Sequence, residues 1–493
     1  MAAHRTTMAL AFATLAVSGC GARTELSAPA RHGDSGAACP IVTTDVGLTV
    51  GRGRACALLS SGEVACWGVD YSGSETCVVA GVDTPCSTKP LVVPGLSDIV
   101  SVETSGPITC VLRATGSVSC WGSNAFGALG IGTLQGPETC SNLGPCSHTP
   151  LDVQGLSNVT AVALGQKHVC ALLSDGTVAC WGDNSLGQLG VGTADGPDAC
   201  SNEPITNSSH HGCSTKPVAV AGLSGVIALA AGTAHTCALL GDGQVACWGA
   251  NYGGQIGTGS GQGPDPWSTC DEEMNCSTKP FVVKDLDQAA AIAAGDNHMC
   301  ALRQDGTVRC WGAKDFSQLG IGVNHDTDGC QLSYCKTKPV EVKDLTGVRA
   351  IAAGGSFTCA LSCDGGMWCW GYNGSGDLGL GENTGPATCH EDNDYSGTCS
   401  PAPVAIPGLK GVAAIAAGSG RSSGAFTLTE AGALTAGGTV CAIVENATIE
   451  CWGDNAFGTL GIGTNVGPDQ CAGEPMSATA VSCSMTPVLV SGL

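Results

Sequence analysis

The residues with the most chemistry in this 493-residue chain are its 31 cysteines, and their spacing is regular. Seven times a Cys stands ten positions before a Cys-Trp-Gly: Cys56 and Cys66, Cys110 and Cys120, Cys170 and Cys180, Cys237 and Cys247, Cys300 and Cys310, Cys359 and Cys369, Cys441 and Cys451. A second pair follows each of these: Cys77 and Cys86, Cys140 and Cys146, Cys200 and Cys213, Cys270 and Cys276, Cys330 and Cys335, Cys389 and Cys399, Cys471 and Cys483. Cysteines at this density either bind metal or cross-link. Zinc sites need close Cys or His ligands at recurring offsets, whereas the second pairs vary in spacing from 5 to 13 and have no His at a regular offset. No metal is assigned. Fixed spacing points to a disulfide framework, two bonds per repeat and each closed within its own repeat, in an oxidising compartment. Cys20, Cys39 and Cys363 stand outside the pattern. Whether Cys39 and Cys363 pair is left open.

The remaining reactive residue types carry less. His168, His235 and His298 precede the first Cys of their repeats by two positions, but Arg54, Ile108 and Phe357 take that place elsewhere, which marks a packing position rather than a catalytic one. Trp181 and its six equivalents lie on the repeating frame and read as core. Trp267, in the loop "GPDPWSTC", lies off the frame and is the candidate binding anchor. No non-repeating group of carboxylates and a base stands out, so no catalytic residue and no cofactor is assigned. Twenty basic against 42 acidic residues give a net charge of −22, which argues against a nucleic-acid partner.

The elements that hold these residues are short strands. In "HVCALLSDGTVACWGDNSLGQLGVG" (His168 to Gly192) two strand-forming runs flank Ser174-Asp175-Gly176, a three-residue turn with Gly at the left-handed position. Leu173 then faces Thr177, and counting outward places Cys170 opposite Cys180. A Val/Ile-Ala-Ala-Gly strand opens each unit and a Pro-x-x-Val strand closes it, with units starting near 45, 98, 158, 225, 288, 347 and 411. Repeats of this kind bury a continuous core only by stacking. Seven four-stranded units with Gly-rich turns and periodic Trp predict an all-β, seven-bladed β-propeller. The small residues of the opening strand are expected to line its central channel.

"HTCALLGDGQVACWGANYGGQIG" (His235 to Gly257) and its analogues resemble the regulator of chromosome condensation repeat, from Asp45 to Leu493. The resemblance implies a seven-bladed propeller. Two departures stand out: the first repeat lacks a recognisable Gly-x-Leu-Gly, and the last carries extra residues between Gly418 and Cys441. "FTLTEAGALTAGG" (Phe426 to Gly438) is read as an added hairpin in preference to a partial eighth repeat. Eukaryotic members that act on a small GTPase use basic and wedge-like elements with no counterpart here, so exchange activity is not carried over. The family also includes a secreted bacterial propeller that covers a hydrolase with its loops.

Residues 1–19 read as a signal peptide, since "MALAFATLAV" is too short to span a bilayer. The ending "VSGC" resembles a bacterial lipobox, which implies a lipid on Cys20 and an envelope location. Gly21 in place of Asp favours the outer membrane. Residues 20–44 read as a tether. The expected function is non-catalytic binding of a protein or glycan by a monomer, through a crown of disulfide-pinned loops on one face, with membrane contact through the lipid alone. The alternative is an extracytoplasmic polysaccharide lyase or hydrolase with irregular polar residues gathered at one channel mouth.

Overall fold

The hairpin turn sets the register of each sheet. Gly176 adopts φ 78°, its N–H donates to Leu173 O at 2.9 Å, and the Leu173 N–H donates to Thr177 O at 2.9 Å. Asp175 Oδ1 accepts from the N–H and the hydroxyl of Thr177, fixing the turn from the side-chain direction. Cys170 consequently lies opposite Cys180 and Val169 opposite Trp181. The computed structural model describes residues 47–70, 75–79, 82–140, 143–200, 212–265, 269–270, 274–322, 327–331, 334–389, 397–419, 438–444, 447–471 and 481–493.

Each blade is an antiparallel sheet built from one contiguous stretch of chain. In the third blade the inner strand is Val159–Leu164, followed by His168–Leu173, Val178–Asp183 and the fourth strand Gly212–Ala219. The other six blades repeat this order, giving a seven-bladed β-propeller. The four-stranded expectation needs correction. Five of the seven sheets carry a fifth, short strand outside the fourth. In the second blade Glu138–Cys140 pairs with the start of Gly144–Asp152, and the Cys140–Cys146 disulfide holds the two together. The fourth strands also bulge where Pro217 or its equivalent removes a donor, as between the Ser214 and Val218 pairings.

The ring closes without a sheet shared between the two ends of the chain. Each inner strand lies against the inner strands of its neighbours, and Gly47–Gly51 of the first blade meets Ala414–Ser419 of the seventh. Ala-Ala pairs suit this crowded centre, since longer side chains would hold the inner strands apart. Farther out, the Trp of one blade meets a Leu-Gly turn of the blade before it. Trp248 donates its indole N–H to Gln188 O at 2.8 Å, and Trp67, Trp181, Trp311, Trp370 and Trp452 donate to Thr459, Ala128, Gln255, Gln318 and Asp377 carbonyls at 2.7 to 3.0 Å. The next residue of each turn, Leu or Ile, is fully buried. Asn184 folds this turn back, accepting the Leu189 N–H on Oδ1 at 3.0 Å and donating Nδ2 to the Thr193 and Asp195 carbonyls.

Thirteen disulfides are seen among the described residues. Seven are the hairpin pairs Cys56–Cys66, Cys110–Cys120, Cys170–Cys180, Cys237–Cys247, Cys300–Cys310, Cys359–Cys369 and Cys441–Cys451, each with Cα atoms 4.1 Å apart. In every one the two cysteines are direct cross-strand partners, as Cys120 is to Cys110, Cys247 to Cys237, Cys310 to Cys300, Cys369 to Cys359 and Cys451 to Cys441. Six are second pairs: Cys77–Cys86, Cys140–Cys146, Cys200–Cys213, Cys270–Cys276, Cys330–Cys335 and Cys471–Cys483. Cys399 and Cys363 are also disulfide-bonded, and neither is joined to another cysteine whose side chain is described. The side chain of Cys389, the expected partner of Cys399, lies outside the described residues.

Gly190 tests the blade-to-blade seam. It has φ 68°, and a Cβ on it would lie 3.0 Å from both Trp248 and Val220 side-chain atoms, whereas Gly222 has the same φ and open space. Gly190→Ala is expected to carry left-handed strain of about 1 to 2 kcal/mol plus overpacking of about 1 to 3 kcal/mol. Gly222→Ala carries only the strain. Urea unfolding of the oxidised protein should therefore rank Gly190→Ala clearly below Gly222→Ala, and equal midpoints would contradict the seam geometry.

Candidate functional site: the loop face and the channel mouth

Antiparallel order places the turns between first and second strands at the same end of the ring as the long loops between third and fourth strands. The Ser-Asp-Gly turns lie at the other end. The second disulfides anchor the long loops at their return, and in at least four blades an acidic residue ties the outgoing limb to the fourth strand. Asp198 accepts the N–H and hydroxyl of Thr215 at 2.7 Å each, and Asp265, Asp328 and Glu75 hold Thr278, Thr337 and Thr88 in the same way. These carboxylates hold the loop rather than await a ligand. Sequence reasoning missed them. For Asp198 and Asp265 the signal is the preceding Gly-Pro, where Gly196 and Gly263 run against the backbone of the fourth-strand Cys and leave no room for a Cβ; Asp328 and Glu75 carry no such signal.

The loop chosen from the sequence is placed in part. Cys270 is bonded to Cys276 and packs with Met274, Tyr252 and Leu186, and Tyr252 donates to Asn297 Oδ1 at 2.9 Å. Trp267, Cys20, Cys39, residues 1–46 and most of the segment 419–440 lie outside the described residues. No described helix is long and apolar enough to cross a membrane.

At the channel mouth three blades meet through side chains. Arg52 Nη2 lies 3.3 Å from Asp296 Oδ2, and the Ser419 hydroxyl donates to Asp296 Oδ1. The turns themselves link in series, Gln166 N–H to Thr233 O, Thr233 N–H to Asp296 O and Asp296 N–H to Gly355 O. This irregular polar group ties the first, fifth and seventh blades. Both oxygens of its one carboxylate are engaged. Cys140, Cys146 and His148 also cluster, but the two sulfurs are bonded to each other and offer no thiolate, while His148 contacts Glu138.

His168, His235 and His298 are wholly buried between blades. His168 Nε2 and His298 Nε2 meet the Thr236 and Thr358 hydroxyls of the following blade at 2.8 and 2.9 Å. Burial pushes His168 and His235 down to about 3 and His298 to about 4, so all three are neutral at ordinary pH. Asp377 takes the place of Gln188 in the sixth blade, and burial pushes its carboxyl up to about 8 although backbone N–H groups of Ser375 and Gly438 donate to it.

Residues 14–424 match the RCC1-like domain, and the chain belongs to that family. It is 27% identical to the ultraviolet-B receptor UVR8 of Arabidopsis thaliana over 422 residues, which cover 85% of this chain and 79% of that one. It is also 27% identical to the E3 ubiquitin-protein ligase HERC2 of Mus musculus over 420 residues, but spans only 7% of that protein. Among solved structures, Prp20p from Saccharomyces cerevisiae is similar at TM-score 0.60 and 20% identity, covering 87% of this chain and 86% of that one. Human WBSCR16 is similar at TM-score 0.59 and 20% identity, with 87% and 94% covered.

The buried titratable groups predict two pH windows. A His whose pKa is depressed on folding contributes stability that is complete above about pH 6.5 and declines as pH falls below it, because only the unfolded chain then takes up the proton. Phe357 shows that the site accepts Phe. The triple variant His168→Phe, His235→Phe, His298→Phe should lose most of the decline in unfolding free energy between pH 6.5 and 4. An Asp whose pKa is raised has the opposite sign, so stability falls as pH climbs toward 8, and Asp377→Gln should flatten the profile between pH 6.5 and 8. Unchanged profiles in either variant would contradict the assignment.

Proposed function

We propose that this chain is a non-catalytic, protein-binding propeller held outside the cytoplasm by lipid on Cys20. The observation that carries the binding reading is the rigid ring with long loops fastened at both ends to one face, by a carboxylate clamp and a disulfide. Loops positioned by such a scaffold are where binding residues concentrate. Relatives support a protein partner: Prp20p is described for its binding to Gsp1p and histones, and Kap60 has been seen bound to the yeast protein. The paired state of Asp296 at the channel mouth favours a structural tie over acid–base chemistry there. Disulfides in every blade fit an oxidising compartment, and "VSGC" fits a lipidated start.

Two experiments test this reading. The mature oxidised chain should capture a protein from envelope extract, and exchange of the Cys270 to Cys276 loop with its Trp267 flank should abolish capture; capture that survives exchange of every long loop would reject the loop face. Separately, wild-type protein should take up labelled fatty acid and partition with membranes, while Cys20→Ala should remain uncleaved or soluble. Lipid-free, soluble wild type would reject the anchor.

A further inference from the structure

We infer that the seam between the first and second blades is an open socket that receives a leucine-bearing turn from a partner protein. The inference rests on the protein-binding reading above and assigns it a second, chemically defined site. Six seams are filled in cis: a turn of sequence x-Leu-Gly or x-Ile-Gly gives its first carbonyl to the next blade's Trp, buries its Leu or Ile, and sets its Gly against that Trp, in five of the six also against the Val or Ile that follows the fourth strand. The first repeat cannot supply such a turn. Cys77 follows Cys66 by 11 positions, against 20 or 23 elsewhere, and Asp70 stands where five of the other repeats have the Asn that folds the turn back and the fifth repeat has Lys314.

The consequences are visible at the vacant position. A cleft of about 120 Å³ lies between the two blades, with Trp121, His148, Leu91, Val93 and Pro94 in its wall. That is several times the space one water needs. Trp121 is 3% exposed, yet among the described residues nothing accepts its indole N–H, the bond made by the other six. Val93 is only half-buried, whereas Val153, Val220, Val283, Val342, Ile406 and Val490 at its place are buried. Leu91 is 42% exposed. In the filled seams Gly132, Gly192, Gly259 and Gly463 donate N–H groups to Thr215, Thr278, Thr337 and Thr88 carbonyls of the next blade. His148 stands at that place in the second blade, and no described residue makes this donation to it. Pro94 has no N–H, so it needs no acceptor where Ala221 bonds to Gly190 O.

The socket therefore offers one unpaired donor, one backbone acceptor four residues farther along the guest, and an apolar wall between them. A turn of the x-Leu-Gly-x-Gly kind satisfies all three, as it does six times within the chain. A lone hydrophobe would leave the Trp121 donor unmet, at the cost a buried unpaired polar group carries.

The test uses the full oxidised chain with its Trp indole nitrogens labelled, titrated with a cyclised peptide carrying Asn184 to Gly192 (NSLGQLGVG). The expected result is a saturable shift of one indole N–H resonance, the one missing in Trp121→Phe. Replacing the peptide's second Leu by Ala should weaken binding at least about tenfold, the loss of one buried leucine side chain. The protein variant Leu91→Arg, at an exposed position, should abolish the shift while leaving the other eight indole signals in place. No shift up to the peptide's solubility, or equal binding of the Ala peptide, overturns the socket. Capture of the envelope partner separates the two proposals: if Leu91→Arg captures as wild type does while loop exchange abolishes capture, the socket fails and the loop-face reading stands.

Discussion

The contact between a blade's Trp and the Leu-Gly turn of the blade before it is the constraint on which the ring depends. A single antiparallel sheet cannot cover its own apolar faces, and here six of the seven seams are sealed by one buried Leu or Ile, one indole hydrogen bond and one glycine packed against the Trp. The glycine is obligatory for two independent reasons, its left-handed φ and the absence of room for a Cβ. The same seam closes the circle, since Trp67 of the first blade bonds to Thr459 O of the seventh without any strand crossing from one end of the chain to the other.

Around that seam the protein compensates for modest raw materials. Aromatic residues make up 4% of the chain and Gly numbers 74, so packing is thin and backbone entropy costly. The buried hairpin disulfides restrict the unfolded chain within each blade. Buried His168, His235 and His298 fill the channel-side ends of three seams in neutral form, and the Arg52–Asp296 pair ties distant blades across the mouth.

What could be read from the residues alone divides along sequence distance. Register within a hairpin was legible, because Ser174-Asp175-Gly176 allows one turn and one turn allows one pairing of Cys170. Blade number and the core role of Trp181 were legible from repetition. The fifth strands were not, since pairing of Glu138–Cys140 with its neighbour follows from how the loop folds back to Cys146. The acid clamps and the indole bonds were also hidden. They join a side chain to atoms of another element, 9 to 392 residues away, and apart from the Gly-Pro before Asp198 and Asp265 they leave no local pattern. The shortened first repeat was visible as a departure, yet its meaning appeared only once the six other turns were seen inserted beside the next Trp.

A ring sealed at six seams and, among the described residues, unsealed at one makes a simple claim about the free protein, and hydrogen exchange of the indole N–H groups tests it most directly. In the oxidised chain at neutral pH, Trp67, Trp181, Trp248, Trp311, Trp370 and Trp452 should exchange slowly, each held by a carbonyl of the preceding blade, and Trp121 should exchange fast. Protection of Trp121 equal to that of the other six would show that its seam is sealed as theirs are, and would contradict the account.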